Sequence, residues 1–268
     1  MRIYCCIDGT DNADPSGNAV QRACVMLEGT QSMTNGHVKR IASLGFDRHK
    51  YFPGTQDSVT GRSSAQIVEQ ALNWILANYG SSPNPDRKLF LGGFSRGGAA
   101  MIVIAHRLQQ RRIPVQEMYL FDAVDRSFWM DDDQTNSIPG NVTMAFHALR
   151  DPLSGSRVSF GNCGLYGTGA NVLPATFMTT HGGVGGWPNG EAMVKPGVGP
   201  EDYMYMARLG PVIGAAAAAS DRRRHNIHES GEPWPSNITP AQERAGMRRA
   251  WDWMFGKAFS TLGAAYSS

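Results

Sequence analysis

The feature that most constrains this 268-residue chain is a serine embedded in glycine, Gly92-Gly93-Phe94-Ser95-Arg96-Gly97-Gly98. An apolar run of strand length, residues 88–92, leads into it. Residues 96–111 then read as a helix that is apolar on almost every side over Ala99 to Ala105. A chain passing from buried strand to buried helix across one residue must make a tight, strained turn. Neighbouring side chains would collide there, and Gly93 and Gly97 remove the offending Cβ atoms. Such a turn lifts Ser95 Oγ above the end of a sheet and sets the Arg96 N–H at the positive end of a helix, facing a developing oxyanion. The plain alternative is a glycine-rich strand-to-helix turn with no chemistry. A phosphate-binding loop is disfavoured, because no Lys-Ser/Thr pair follows the glycines.

The rest of the chain alternates in the same way. Residues 2–8 read as a buried strand ended by Asp8-Gly9-Thr10-Asp11-Asn12. Residues 13–62 read mostly as loop, with one helix near 17–28. Ser63-x-x-Gln66 is a capping box that opens a helix carrying Ile67, Ala71, Trp74 and Ile75 on one face, broken by Pro83 and Pro85. Residues 117–123, 142–149 and 176–180 are further strand candidates. Thr239-Pro240-Ala241-Gln242 is a strong start signal for a last helix with Met247, Trp251, Met254, Phe255, Ala258 and Leu262 at helical spacing. Strand–helix–strand alternation predicts an α/β fold, a mostly parallel sheet with helices on both faces, in one domain spanning 1–268. Ligands in such sheets sit beyond the carboxyl ends of the strands.

Composition excludes several classes. A net charge of +2 is too small for a protein held on nucleic acid by its field. An apolar content of 41% is too high for a disordered chain. No segment approaches the roughly 20 apolar residues of a membrane span; the best stretch, 212–219, is short and alanine-rich. The apolar run after Arg2 is cut by Asp8 and is shorter than a signal-peptide core, so cytoplasmic synthesis is expected, with signal-independent secretion left open. Cys5, Cys6, Cys24 and Cys163 show no paired spacing and read as reduced thiols. No metal or cofactor is expected.

A serine hydroxyl needs a base within hydrogen-bond reach, and the base needs an acid to hold its tautomer. On this kind of sheet the order is Ser, acid, His. Of the seven histidines, His37 and His49 precede Ser95, His106 lies on the following helix, and His225 and His228 lie in a polar stretch beside Arg222-Arg223-Arg224. His147 sits inside a strand run and reads as a core histidine. His181 follows the last strand candidate and begins His181-Gly182-Gly183-Val184-Gly185-Gly186, a loop at a carboxyl edge, so it is the expected base. Twelve of the 31 glycines fall within residues 155–199, around that loop. Asp122, at the tip of the strand after the Ser95 helix, is the leading acid, with Asp125 and Asp151 as alternatives. Gly9 or Thr10 N–H is the expected second oxyanion donor, set against a bracing role for Asp8 in its own turn.

Several motifs coincide with one family: Ile7-Asp8-Gly9-Thr10-Asp11-Asn12, Tyr51-Phe52-Pro53-Gly54-Thr55, Gly93-Phe94-Ser95-Arg96-Gly97-Gly98, Phe121-Asp122-Ala123-Val124, Phe146-His147-Ala148-Leu149, His181-Gly182-Gly183-Val184-Gly185-Gly186 and Trp251-Asp252-Trp253-Met254. In these the chain resembles the α/β-hydrolase family that includes the type VI secretion lipase effectors of the first class and their uncharacterised relatives. The resemblance implies an α/β-hydrolase-like three-layer fold and a serine hydrolase acting on carboxylic esters, often acyl chains of phospholipids. It maps Ser95 and His181 onto nucleophile and base. The chain departs from the family at Gly183, where relatives often carry an aspartate.

An ester or lipid substrate is therefore expected. Phe128, Trp129, Met130 and Trp187-Pro188 are candidates for an acyl cleft, and residues 222–236 for a lid or a membrane-surface contact. Two other readings stay open: a secreted antibacterial phospholipase paired with an immunity protein, and a non-catalytic binding module on the same fold.

Overall fold

The computed structural model describes residues 1–9, 36–54, 62–125, 135–156, 161–186, 238 and 240–263. Their elements run β1 (Arg2–Ile7), α1 (His37–Ala42), β2 (Arg48–Phe52), α2 (Arg62–Tyr79), β3 (Lys88–Phe94), α3 (Arg96–Gln110), β4 (Val115–Phe121), β5 (Ser137–Pro139), β6 (Val142–Arg150), a 3₁₀ turn (Pro152–Ser154), β7 (Tyr166–Thr168), β8 (Asn171–Phe177), α4 (His181–Val184) and α5 (Pro240–Gly263). Six strands form one sheet in the order β2-β1-β3-β4-β6-β8, and every neighbouring pair is parallel. β5 and β7 pair in a separate two-stranded ribbon. This is the α/β architecture the alternation predicts.

A parallel sheet is covered on both faces, so its central strands read as continuous apolar runs. In β1 the alternation is strict. Ile3, Cys5 and Ile7 enter one core, packed with α2 and α3, while Tyr4 and Cys6 enter the other, packed with α1 and α5. The adjacent cysteines thus point to opposite sides of the sheet, and Cys5, Cys6 and Cys163 are buried free thiols. α3 is buried from Arg96 to Ala105 because it lies between the sheet and the flanking α2 and β5. α5 covers the other face with Ala250, Met254, Ala258 and Leu262. Each large apolar side chain so buried contributes roughly 1.5–3 kcal/mol. Trp251 and Phe255 of α5 are only half-buried; their rings are tilted against each other, and Phe255 stacks on Phe259.

Several boundaries differ from the sequence expectations. Within 13–62 the described residues, 36–54 and 62, hold α1 and β2, which the sequence reading did not pick out. β2 is an edge strand whose first three residues, Arg48, His49 and Lys50, are exposed, so it carries no apolar run to announce it. The last strand is Asn171–Phe177 rather than 176–180. It is the opposite edge, largely exposed, and includes Pro174, which an edge tolerates. α2 begins at Arg62, so Ser63 lies inside it rather than at its cap. The helix near 17–28, Thr10, Cys24, the cleft candidates Phe128, Trp129, Met130, Trp187 and Pro188, and the stretch 222–236 lie outside the described residues. Among the described residues no helix is long and apolar enough to cross a membrane.

The connections diverge between β1 and β3. The chain leaves β1 for β2 on one side, then returns to β3 on the other and continues outward through β4, β6 and β8. A crevice at the carboxyl ends of β1 and β3 follows from that reversal. Asp8 and Ser95 stand on its two sides.

Candidate active site

Ser95 is the single residue between β3 and α3, with φ 54° and ψ −127°. A non-glycine residue held there costs on the order of 1–3 kcal/mol, so the surroundings must impose it. They do so by close packing. A Cβ on Gly97 would lie 2.3 Å from the Ile7 carbonyl oxygen and 2.4 Å from that of Asp8, so glycine lets the first turn of α3 press against the end of β1. Ser95 occupies the N-cap position of α3, yet its side chain makes no capping bond. The hydroxyl that a helix would ordinarily engage is directed elsewhere.

Asp122 immediately follows β4, is fully buried and also has positive φ, 44°. Its turn is stitched to the Ser95 turn in both directions: Ser95 N–H donates to the Phe121 carbonyl (3.0 Å) and Val124 N–H to the Ser95 carbonyl (3.1 Å). On the other side Asp122 N–H donates to the Ala148 carbonyl of β6 (2.7 Å), and Ala123 N–H to His147 Nε2 (3.0 Å). With Nε2 accepting, His147 Nδ1 carries the hydrogen and faces the Gly164 carbonyl (3.3 Å). His147 is therefore a fully buried brace for the Asp122 turn, in keeping with a core role.

His181 opens the short helix α4 rather than a loop. Thr180 caps that helix, accepting from Gly183 N–H (3.0 Å) and donating to Glu243 Oε1 of α5 (2.6 Å). His181 N–H donates to Ser156 Oγ (3.1 Å). From α1, His37 donates through Nδ1 to the Val184 carbonyl (2.9 Å) and through its N–H to that of Gly185 (2.8 Å). At Gly183 a Cβ would lie 2.1 Å from Thr179 Oγ1, so a side chain there would require Thr179 to shift.

These elements bring three of the expected residues into one chain of bonds. His181 Nδ1 lies 2.7 Å from Asp122 Oδ2, and His181 Nε2 lies 2.9 Å from Ser95 Oγ. A carboxylate only accepts, so Nδ1 carries the hydrogen and Nε2 is left to accept the serine proton. All three side chains are buried, with 8% of Ser95 still exposed. Burial alone pushes the Asp122 carboxyl upward. The Arg150 guanidinium and His181 more than offset this, holding it well below the usual carboxylate range. The acid thus stays ionised, and the imidazole is poised to take a proton from the hydroxyl.

The other acids stand elsewhere. Asp151 caps the 3₁₀ turn, accepting from Leu153 N–H (2.9 Å), while the carboxylate that faces His181 is that of Asp122. Asp125 is half-buried three residues beyond Asp122, and the ring nitrogen it would need is bonded to Asp122 instead. Arg96 is the first residue of α3, so its N–H is at the positive end of that helix beside Ser95. Gly9 N–H donates to Asp8 Oδ1 (2.8 Å), while Tyr51 OH donates to Asp8 Oδ2 (2.9 Å), so Asp8 braces its own turn. Two residues that sequence reasoning did not single out complete the site. Arg150 donates to Asp122 Oδ2 (2.5 Å), and Asn162 Nδ2 to Asp122 Oδ1 (2.7 Å). The available signal was an arginine at the carboxyl tip of an apolar strand, where charge is out of keeping with the run before it. Among the described residues no three His, Cys, Asp or Glu side chains gather as a metal site requires.

The buried histidines make stability depend on pH. Burial pushes His37 down to about 3 and His147 down to about 4, from an ordinary value of 6.5. Between those values the unfolded chain binds the protons that the folded chain refuses. Stability is therefore full above about 6.5 and declines as pH falls toward 4, by up to about 1.4 kcal/mol per pH unit for each histidine. Denaturant titrations at pH 7.5, 5.5 and 4.5 should show this decline, and His147→Gln should reduce it; a flat profile would contradict the assignment.

No family model matches the sequence, and no curated protein matches it. Among solved structures, the chain is similar to the Tle1 effector bound to the VgrG spike from the Type 6 secretion system, at 17% identity and a TM-score of 0.38, covering 69% of this chain and 50% of that one. It is similar to an uncharacterized protein from Pseudomonas aeruginosa at 13% identity and a TM-score of 0.42, covering 96% and 51%. It is also similar to the RedJ thioesterase of the prodiginine biosynthetic pathway in Streptomyces coelicolor, at 13% identity and a TM-score of 0.34, covering 70% and 80%. The chain spans about half the length of the first two.

Proposed function

We propose that this chain is a serine hydrolase that cleaves carboxylic esters through an acyl-enzyme. The observation that carries the reading is the bond chain from Asp122 through His181 to Ser95, at 2.7 and 2.9 Å. Ser95 Oγ attacks the ester carbonyl while His181 Nε2 takes its proton. Asp122 keeps the imidazole in the required tautomer and stabilises the imidazolium. The Arg96 N–H, aided by the dipole of α3, stabilises the oxyanion; a second donor at Gly9 requires its N–H to leave Asp8 Oδ1. His181 then protonates the leaving alcohol, and water repeats the sequence to release the acid.

A lipid ester is the finer reading, supported by the ordered motifs that resemble the lipase effectors. A pairing with an immunity protein follows from the same resemblance and stands or falls with it. A fluorophosphonate probe tests the central claim: it should label the chain once, at Ser95, and a panel of p-nitrophenyl and phospholipid esters should then rank acyl length and headgroup. No labelling, or labelling at another serine, would overturn the reading and favour a binding module.

A further inference from the structure

Resting on the hydrolase reading above, we propose that Arg150 is a positioning residue for this reaction: by donating to the same Asp122 oxygen that His181 uses, it sets the pH below which the Asp122–His181 couple takes up the proton that stops catalysis. The geometry is a closed ring. Arg150 Nη1 donates to Asp122 Oδ2 (2.5 Å), the oxygen that also accepts from His181 Nδ1 (2.7 Å). Arg150 Nε donates to the Ser156 carbonyl (3.0 Å), and Ser156 Oγ accepts from His181 N–H (3.1 Å). The backbone N–H of Arg150 reaches Asp122 Oδ1 (3.3 Å). One arginine at the end of β6 therefore holds the acid directly and the base through Ser156.

The charge has a consequence that the bonds alone do not. Arg150 and Asp122 are buried at 7% and 0% exposure, so their attraction is weakly screened. Among the described residues, the titratable groups around Asp122 include Arg150 and His147 from β6, His181 from α4, Asp125 three residues on, and Cys163. Burial holds His147 neutral and the Cys163 thiol protonated. Arg150 is thus a fixed positive charge bonded to the couple. It competes with a proton for the negative charge of Asp122, and the couple, which titrates as a unit, stays unprotonated to lower pH.

The test is the pH profile of kcat/KM for a short p-nitrophenyl ester, with wild type, Arg150→Met and Arg150→Lys. Removing the charge should move the acid limb upward by about one pH unit, so that Arg150→Met is roughly 10-fold slower than wild type below the limb beyond any change on the plateau. Arg150→Lys should keep the wild-type limb while lowering the plateau, because a lysine cannot hold Asp122 and the Ser156 carbonyl together. If Arg150→Met does not fold, Arg150→Gln supplies the same uncharged contrast. A plateau lowered at every pH with an unmoved limb would make Arg150 a brace only and overturn the proposal. Failure of both uncharged variants to fold while Arg150→Lys folds would also overturn it. A wild type with no turnover and no Ser95 labelling would instead sink the hydrolase reading itself.

Discussion

Ser95→Ala is expected to lower kcat/KM for a p-nitrophenyl ester by a factor on the order of 10⁵ while leaving the fold intact. The loss is large because nucleophile, base and acid act as a unit, and what remains is the binding and oxyanion contribution alone. The fold should survive because Ser95 Oγ makes no helix-cap bond, so alanine leaves no helical N–H that depended on it. The strained backbone at φ 54° is shared by both residues and held by the two bonds to the Asp122 turn. Adding His181→Ala to Ser95→Ala should cost little more, as expected of groups that work together. Steady-state kinetics with thermal melts check both parts. A well-folded Ser95→Ala that keeps more than about a hundredth of the wild-type rate would remove Ser95 from the mechanism.

Asp122→Asn should be costly twice over. Every side-chain contact that Asp122 makes is with a donor: Arg150 Nη1 and His181 Nδ1 on Oδ2, and Asn162 Nδ2 with Arg150 N–H on Oδ1. An asparagine accepts at one end only, so either orientation sets an NH₂ group against donors. Turned toward His181, it also forces the hydrogen onto Nε2, which can then no longer accept the Ser95 proton; a comparable change of tautomer costs about 10⁴ in kcat. The substitution further removes the carboxylate from the buried Arg150–Asp122 pair, and breaking such a pair costs about 3–5 kcal/mol. Kinetics should show the first effect and urea denaturation the second. Activity within tenfold of wild type, with unchanged stability, would contradict the assigned role.

The parts of the fold legible in the sequence are those that are locally patterned. β1, β3, β4 and β6 are buried on both sides and so read as apolar runs, and α3 reads as a buried helix for the same reason. The two edge strands escaped or slipped because an edge strand faces water and is protected by polar residues and proline. Arg48-His49-Lys50 in β2 and Pro174 in β8 carry that composition. α4 reads as a loop because His181-Gly182-Gly183-Val184 has poor helix propensity. Its helical turn is held by contacts from Thr180 and His37.

For the candidate site the division follows the same physics. Ser95, its glycines and the glycine-rich stretch opened by His181 are legible because tight turns and close backbone approach demand glycine at fixed local offsets, whatever the rest of the chain does. Asp122 leads the three candidate aspartates by its place at the tip of the strand after the Ser95 helix, but its partners are not legible locally. The tertiary structure supplies them, through contacts that reach 28 residues along the chain to Arg150, 40 to Asn162 and 59 to His181. Those separations leave no local pattern. They arise because β4, β6 and α4 place their ends side by side at one edge of a parallel sheet, where a buried carboxylate must collect every donor within reach to remain charged.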